Sequence, residues 1–383
     1  MARALYIHWP FCLKKCPYCD FNSHVRNGVD HDLWLRALVA DMRGEAERAG
    51  GETLTSIFFG GGTPSLMPPA LVAALLVEAE RLWGFAPGIE ITLEGNPSSV
   101  EAANYAALAT AGVNRASLGV QALDDAALRF LGRLHGVDEA LAALDVAQRH
   151  FARVSIDLIY ARPGQMAESW EAELARAIAL GTGHLSLYQL TIEPGTRFAT
   201  DLREGTLTPL EDDAAAEMFA LTRKLTAAYG LPAYEVSNHA RPGERSRHNL
   251  TYWQYRDYCG IGPGAHGRRG GMATARHRKP ENWLAAIDVQ GDGIAEQRPL
   301  SPRDMASEAL MMGLRLTEGI DLADLARRTG LTVETLCDAA KAAFYESQGL
   351  IWRRGPRIGA TEAGMSLLNG LIAELVPAEL VAP

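Results

Sequence analysis

Short apolar segments alternate with longer stretches of helical periodicity through the first two-thirds of the chain. The apolar segments are typical of buried strands, and the stretches between them repeat apolar residues about every 3.6 positions. Strands are predicted near residues 4–8, 56–59, 90–93, 116–120, 154–159 and 184–190. Helices are predicted between them, with the plainest examples at 32–49, 71–82 and 168–179. This alternation predicts an α/β fold built from parallel βαβ units.

The number of these units limits the architecture. Six strand–helix units are predicted, whereas a closed barrel of this kind needs eight. We therefore expect an open, partial (β/α)6 barrel of the TIM type. Polar motifs follow the predicted strands directly, so they should share the carboxyl-terminal face, where such barrels carry their chemistry.

The pattern changes near residue 300 and becomes mainly helical. Helices are predicted at 306–316, 321–328, 333–348 and 362–375, with short β-like segments at 350–353 and 357–360. Gly330 and Thr332 predict the end of one helix and the start of the next. This order predicts a small helical, winged-helix-like domain. The expected regions are a barrel at 1–235, a motif-bearing segment and linker at 236–300, and a C-terminal domain at 301–383.

Composition and charge narrow the class of protein. The 383 residues are 48% hydrophobic, which is enough for a large core, and the formal net charge is −9. Winged-helix domains often bind DNA, but an acidic chain argues against an electrostatic interaction with nucleic acid. The sequence contains no run of about 18 apolar residues, so no membrane span is predicted. Five cysteines, three of them clustered, do not suggest a disulfide framework and favour a reducing cytoplasm.

The cysteine cluster is the strongest chemical signal in the chain. Cys12, Cys16 and Cys19 are separated by three and then two residues, just after the first predicted strand. Three nearby thiolates select zinc, copper or an iron–sulfur cluster. Structural zinc sites usually have four ligands in two pairs, and the sequence has no second cysteine pair. A [4Fe–4S] cubane held by three thiolates would leave one iron open for a small molecule.

Other polar groups follow the later strands. The glycines from Gly60 to Gly62, followed by Thr63, let backbone N–H groups approach a ligand, although the same pattern suits a plain turn. Glu94 follows the third strand and, taken alone, would more often be a solvated loop charge. Asp157 is embedded in the fifth strand, where a carboxylate needs a partner from a ligand or a neighbouring loop.

The first 270 or so residues resemble the radical S-adenosylmethionine (SAM) proteins related to oxygen-independent coproporphyrinogen III oxidase (HemN). The resemblance rests on the cysteine spacing and on the sequence GGGTP at 60–64. It implies that the three cysteines ligate a [4Fe–4S] cluster, that SAM chelates the open iron, and that an electron from the cluster cleaves SAM to a 5′-deoxyadenosyl radical. By the same resemblance, the SAM region is lined by Tyr6, Tyr18, Gly61, Gly62, Thr63, Glu94, Gln121, Arg133 and Asp157.

Two departures separate the chain from the oxidase and match the HemW branch, a family of heme chaperones. Phe21 stands where the oxidase has a fourth cysteine, and the cysteine motif has a shorter arm ahead of it. The segment 248–253 matches the HNxxYW motif of that branch. A lone histidine would more often have a structural role. The match over six residues is what favours His248 as a heme ligand.

The resemblance implies heme binding by His248, Asn249, Tyr252 and Trp253. Imidazole and tyrosinate both serve as axial ligands of heme iron, and aromatic rings offer faces for a porphyrin. Guanidinium groups pair well with carboxylates such as the heme propionates. The candidate arginines are Arg241, Arg245, Arg247, Arg256, Arg268 and Arg269.

The family resemblance implies a cytoplasmic protein that binds heme and delivers it to heme-requiring respiratory apoproteins at the inner face of the membrane. Peripheral membrane contact and a homodimer are further expectations, and nucleic acid is not expected as a partner. The alternative is an enzyme that decarboxylates coproporphyrinogen III oxidatively through the 5′-deoxyadenosyl radical. A metal-sensing transcription factor is a third alternative, and the few basic residues in the C-terminal helices argue against it.

Overall fold

The structure, a computed structural model, describes residues 4–26, 28–50 and 52–381. Its strands are β1 (Ala4–Trp9), β2 (Phe11–Cys12), β3 (His24–Val25), β4 (Leu54–Gly61), β5 (Phe85–Gly95), β6 (Arg115–Gln121), β7 (Arg153–Tyr160), β8 (His184–Gln189), β9 (Asn238–Ala240), β10 (Tyr258–Ile261), β11 (His266–Arg269), β12 (Met272–Arg276), β13 (Ile294–Pro299), β14 (Ile320–Asp321), β15 (Ile351–Arg354) and β16 (Arg357–Ala360).

A short 3-10 helix spans Pro64–Leu66. The α-helices are α1 (His31–Ala49), α2 (Pro69–Trp83), α3 (Ser99–Ala102), α4 (Tyr105–Thr110), α5 (Asp125–Phe130), α6 (Val137–His150), α7 (Ala167–Ala179), α8 (Arg197–Arg203), α9 (Asp212–Ala228), α10 (Arg247–Trp253), α11 (Pro280–Gln290), α12 (Pro302–Gly313), α13 (Leu322–Thr329), α14 (Val333–Leu336), α15 (Ala339–Ser347), α16 (Glu362–Met365), α17 (Leu368–Leu375) and α18 (Ala378–Val381).

The main sheet contains eleven strands in the order β13-β12-β11-β10-β1-β4-β5-β6-β7-β8-β9. Strands β1, β4, β5, β6, β7 and β8 form its centre and pair in parallel in chain order. Each crosses to the next through one or more helices, as in a TIM-type barrel. The predicted open (β/α)6 barrel is confirmed, and each observed strand overlaps its predicted range.

The inner face of this barrel is polar. Ser117 on β6 donates a hydrogen bond to Asp157 on β7 at 3.2 Å, and Ser155 on β7 shares one with His184 on β8 at 2.7 Å. In closed barrels bulky branched residues fill such positions. Here hydroxyl side chains and their polar partners take those positions.

The segment 236–300, predicted as a motif-bearing linker, extends the main sheet. β10 pairs in parallel with β1, and β11, β12 and β13 follow it in antiparallel pairs. A buried ion cluster holds this extension against α1, since Arg276 donates to Glu45 at 2.6 Å and also pairs with Asp41. Arg269 donates to the other oxygen of Glu45 at 2.6 Å. These contacts make the segment part of the barrel's own packing.

The C-terminal domain has its own core and a small sheet in the order β14-β16-β15. Gly330 ends α13 in the left-handed conformation, and the Thr332 side chain accepts from the Thr335 N–H at the start of α14, as predicted. The predicted helix 333–348 is wrong in one respect, because it breaks between α14 and α15. The break follows from Asp338, whose carboxylate accepts from the first backbone N–H groups of α15 and starts a new helix. The predicted helix 362–375 is similarly divided into α16 and α17.

Polar contacts join the C-terminal domain to the barrel. Arg223 on α9 donates two hydrogen bonds to Glu362 on α16, at 2.8 and 2.9 Å. Tyr255, which follows α10, donates to Glu308 on α12 at 2.6 Å. Within the described ranges, no helix is long and apolar enough to cross a bilayer.

Candidate functional site

Cys12 ends β2, and Cys16 and Cys19 lie on the loop that follows it beside the barrel mouth. The Thr63 hydroxyl donates to the Cys12 sulfur at 3.4 Å, and Arg133 Nη1 donates to the Cys16 sulfur at 3.5 Å. A turn between Cys16 and Cys19 is closed by a backbone hydrogen bond of 3.1 Å. The loop therefore faces Thr63, which follows β4, and Arg133, which follows α5.

The sulfur atoms are close enough to interact electrostatically. Burial is the main cause of the raised pKa of Cys12, and the charges of Cys19 and Cys16 raise it further. Across the described part of the chain, no three His, Cys, Asp or Glu side chains converge on a point suited to one metal ion. A [4Fe–4S] cube binds each cysteine through a different iron, so it does not require such convergence. The three thiols fit a cluster better than a single ion.

The glycine run after β4 lets two segments approach each other closely. The Gly62 N–H donates to Trp9 O at 2.7 Å, and a Cβ at Gly62 would lie 2.6 Å from Phe11 O. Gly61 has a φ of 114°, and a Cβ there would lie 2.6 Å from the His8 ring. Only glycine fits these positions without moving the segment that leads to the cysteines.

Two carboxylates lie near each other inside the barrel. Glu94 at the end of β5 accepts from the Gly61 N–H at 3.3 Å. Burial raises the pKa of Glu94 to about 8, and the charge of Asp157 adds to the shift. Burial likewise raises the pKa of Asp157, while hydrogen bonds from Ser186 and Ser117 oppose that shift. The pair is poised to accept hydrogen bonds from a cationic or hydroxyl-bearing ligand.

Arg133 connects several of the predicted SAM residues. Its guanidinium donates to Tyr18 OH at 3.4 Å and to Gly119 O at 2.9 Å, and it also bonds the Asn96 side chain. Asn96 in turn donates to Thr63 at 3.3 Å. The sequence did not single out Asn96 as a site residue, although its position two residues after Glu94 was a usable signal.

Gln121 is held in an unusual conformation at the end of β6. Its φ is 70°, which is strained for a residue with a side chain, and its Oε1 is buried without a partner in the described structure. A Cβ at Gly119 would lie 2.8 Å from Gln121 Nε2 and 3.3 Å from Arg133 Nη2, so both side chains meet at Gly119. An orphaned acceptor at this place fits a site completed by a ligand.

Two cavities open from the barrel interior. The smaller has a volume of about 710 Å³ and is lined by Tyr6, Gly61 and Glu94 of the predicted SAM set. The larger has a volume of about 1480 Å³ and lies between the barrel and the C-terminal domain. Tyr252 and Tyr258 line both cavities, and their ring centroids are 4.6 Å apart.

The predicted heme motif lies on α10 and on the wall of the larger cavity. Asn249, Tyr252 and Trp253 line it, together with aromatic and apolar residues of the C-terminal domain such as Tyr345 and Leu371. Ligand pockets typically measure about 300–1,000 Å³ and are mainly apolar with a few polar groups. The cavity therefore has room for a large, mainly apolar ligand.

His248 does not line either cavity. It is 1% exposed, shares a hydrogen bond with Ser56 at 3.1 Å through Nδ1, and shares one with Tyr252 at 2.6 Å through Nε2. Its ring stacks on Phe58 with the centroids 5.0 Å apart. Burial lowers the pKa of His248 to about 3, so the ring is neutral. The geometry places His248 behind Tyr252, with both ring nitrogens already engaged.

The candidate arginines are dispersed over the surface and the sheet extension. Of the six, Arg268 alone lines the larger cavity in the described structure, and its guanidinium lies 3.5 Å from the centre of the Tyr255 ring. Arg245 pairs with Glu318, Arg247 donates to a backbone carbonyl, and Arg269 belongs to the buried ion cluster. The sequence overestimated the positive charge at the motif because Arg245, Arg247 and Arg269 are bonded to these other partners.

Models of known families match two parts of the chain. The Radical SAM superfamily matches residues 6–177, and the HemN C-terminal domain matches residues 300–367. The heme chaperone HemW of Escherichia coli K12 is 38% identical over 98% of this chain and 98% of its own length. Radical S-adenosyl methionine domain-containing protein 1, mitochondrial, of Bos taurus is 38% identical over 97% of this chain and 87% of that protein.

A solved structure agrees with these matches at the level of fold. Coproporphyrinogen III oxidase (HemN) from Escherichia coli superposes with a TM-score of 0.82 over 97% of this chain and 89% of its own, at 22% identity. At this low sequence identity, the superposition shows that the two proteins share a fold. The HemW proteins, in contrast, are similar at the level of sequence along almost the whole chain, as is the one from Bacillus subtilis at 31% identity over 96% of this chain. The chain therefore belongs to the HemW family within the radical SAM superfamily.

Proposed function

We propose that the protein is a heme chaperone that binds heme in the larger cavity and delivers it to heme-requiring apoproteins. The observation that carries this proposal is the position of the HNxxYW motif, which presents Asn249, Tyr252 and Trp253 to a cavity of about 1480 Å³. The HemW relatives, which are named heme chaperones, align along nearly the full chain. Family and cavity therefore point to the same ligand.

Within this proposal the motif residues have different roles. Tyr252 reaches the cavity and offers an oxygen ligand of a type that heme iron accepts. His248 acts behind it, because the hydrogen bond of 2.6 Å orients the Tyr252 hydroxyl. Trp253 and Asn249 supply a flat apolar face and a polar contact. Direct iron ligation by His248 would require the ring to leave both of its present partners.

Radical SAM proteins carry a [4Fe–4S] cluster and SAM, and the loop residues fit that pair. Cys12, Cys16 and Cys19 would hold the cluster, and the smaller cavity beside Gly61 and Glu94 would hold SAM. When bound, the two supply a one-electron route to a carbon radical. The chain contributes the enclosure, since the Gly61 N–H and the neutral Glu94 carboxyl group are held at fixed positions in that cavity.

The destination of the heme is a separate part of the proposal. We place delivery at the cytoplasmic side of the respiratory membrane, through contact of the protein with its client and with the membrane surface. A homodimer remains a prediction.

The test distinguishes a chaperone from a porphyrinogen decarboxylase. The cluster is reconstituted anaerobically, and the protein is given heme in one vessel and coproporphyrinogen III with SAM and a reductant in another. We expect stable heme binding, seen near the Soret band, and no decarboxylated porphyrin by chromatography. Turnover of coproporphyrinogen III would contradict the proposal and would show that Phe21 can replace the fourth cysteine of the oxidase.

A further inference from the structure

Arg315 is a cation on the C-terminal side of the larger cavity, and the heme motif does not include it. It follows α12 and lines the cavity opposite the barrel. Its Nη1 donates to Met311 O at 2.5 Å, and its Nη2 donates to Asn369 Oδ1 at 3.4 Å. Both partners are neutral, and a guanidinium has five N–H donors. The side chain is positioned by the domain but its charge is not matched there.

The acidic residues of the same cavity form no ion pair with Arg315 in the described structure. Glu374 pairs with Lys341 at 3.0 Å, and Asp212 is exposed at the start of α9. Glu235 is buried and accepts from Asn238 Nδ2 at 2.5 Å. In the described ranges, Arg315 forms no ion pair with any carboxylate. Burial is the main cause of its lowered pKa, and the charge of Glu235 opposes that shift without an ion pair between the two side chains.

A half-buried guanidinium without a counter-ion is a binding group for an anion. Carboxylates match its planar fork and form charge-assisted hydrogen bonds. Arg268 lines the same cavity from β11, so the barrel and the C-terminal domain each contribute one cation. The rest of the lining is largely apolar and aromatic, so a free inorganic anion would use little of the cavity.

We infer that Arg315 pairs with a carboxylate of the ligand in the larger cavity, so that the C-terminal domain selects a porphyrin by its acidic side chains. This inference rests on the proposed function and adds a specificity residue to it. It predicts that the protein prefers heme to heme dimethyl ester, which has the same iron and ring but no free carboxylate. It also assigns the C-terminal domain a direct part in binding.

The experiment compares the two porphyrins on the full chain. Dissociation constants for heme and heme dimethyl ester are measured by absorbance titration, in the same buffer and cosolvent, for wild type, Arg315→Gln, Arg315→Lys and Arg303→Gln. Arg303 is an exposed residue of α12, so its variant removes the same charge from the same domain outside the cavity. Circular dichroism and the cluster absorbance show whether each variant is folded.

We expect wild type and Arg303→Gln to bind heme roughly tenfold or more tightly than the dimethyl ester, as for a charge-assisted contact. Arg315→Gln should lose most of this preference, with Arg268 still present, and Arg315→Lys should keep a larger part of it. Equal binding of both porphyrins by wild type, or an unchanged preference in folded Arg315→Gln, would overturn the inference and leave heme binding intact. Failure of wild type to bind either porphyrin would overturn the proposed function itself, and the inference with it.

Discussion

Nε2 of His248 lies 2.6 Å from the hydroxyl oxygen of Tyr252, and Nδ1 of the same ring lies 3.1 Å from the hydroxyl of Ser56. The imidazole therefore links Ser56 on β4 to Tyr252, the motif residue whose ring lines the larger cavity. Because its pKa is lowered by burial to about 3, the ring stays neutral and orients the Tyr252 hydroxyl through a hydrogen bond. This relationship separates the roles of the two residues.

Tyr252→Phe tests that separation. Removing the hydroxyl leaves Nε2 of His248 without its partner, which should lower the free energy of unfolding by about 1–3 kcal/mol. We also expect heme binding to weaken strongly and the Soret band to shift, measured by absorbance titration. Tyr345→Phe is the control, since it removes a hydroxyl from the same cavity outside the motif. Normal heme binding and an unchanged spectrum in Tyr252→Phe would exclude Tyr252 as the iron contact.

Cys16→Ala tests the cluster. With one of three thiolates removed, we expect the reconstituted protein to lose most of its iron and its brown colour, measured by iron analysis and visible absorbance. Cys337→Ala provides the control because this thiol belongs to the core of the C-terminal domain. Equal iron content in the two variants would be incompatible with the assigned ligands.

Gly62→Ala tests the close approach of β4 to the cysteine loop. A Cβ there would lie 2.6 Å from Phe11 O, so the loop must shift. We expect a loss of about 1–3 kcal/mol in stability, as for other overpacked sites, and lower iron incorporation. Gly370→Ala, where a Cβ meets nothing within 4 Å, should show neither effect. Full cluster loading in Gly62→Ala would show that the loop tolerates the displacement.

Glu94→Gln tests the buried carboxylate through the pH dependence of stability. The native pKa of Glu94 is raised to about 8 from 4.5, so the native state retains a proton that the unfolded state releases. Stability of the cluster-free protein should therefore fall as the pH rises from about 4.5 to about 8. Glu94→Gln should flatten this fall in a series of thermal denaturation curves.

The control for that series is Glu78→Gln. The pKa of Glu78 is lowered to about 2 by hydrogen bonds from Arg81 and Arg43, so its contribution is lost only as the pH falls below about 4.5. Its replacement should leave the slope between pH 4.5 and 8 unchanged. An identical slope in wild type and Glu94→Gln would mean that Glu94 is ionised in the folded protein.

The barrel and its polar face were predictable because the signals are local. Glu94, Gln121 and Asp157 each lie in or directly after an apolar strand, and parallel strands bring their carboxyl ends to one edge. The break at Asp338 was missed because the helical periodicity continues across it, while the capping hydrogen bonds depend on local geometry.

Long-range contacts were not predictable in the same way. His248 and Ser56 are 192 positions apart, and the pairing of β10 with β1 joins segments separated by more than two hundred residues. The sequence therefore indicated His248 as a ligand, whereas the structure buries its ring between Ser56 and Tyr252. No sequence motif marked Arg315, since the cavity that it lines forms between the barrel and the C-terminal domain.

The rings of Tyr252 and Tyr258 also have a thermodynamic consequence. They are the common partition of two compartments, so a molecule that displaces either ring reshapes the space on both sides. If filling one compartment changes the affinity of the other by some factor, the reverse change must be equal. Tyr252 and Tyr258 are therefore the side chains through which such a reciprocal effect would pass.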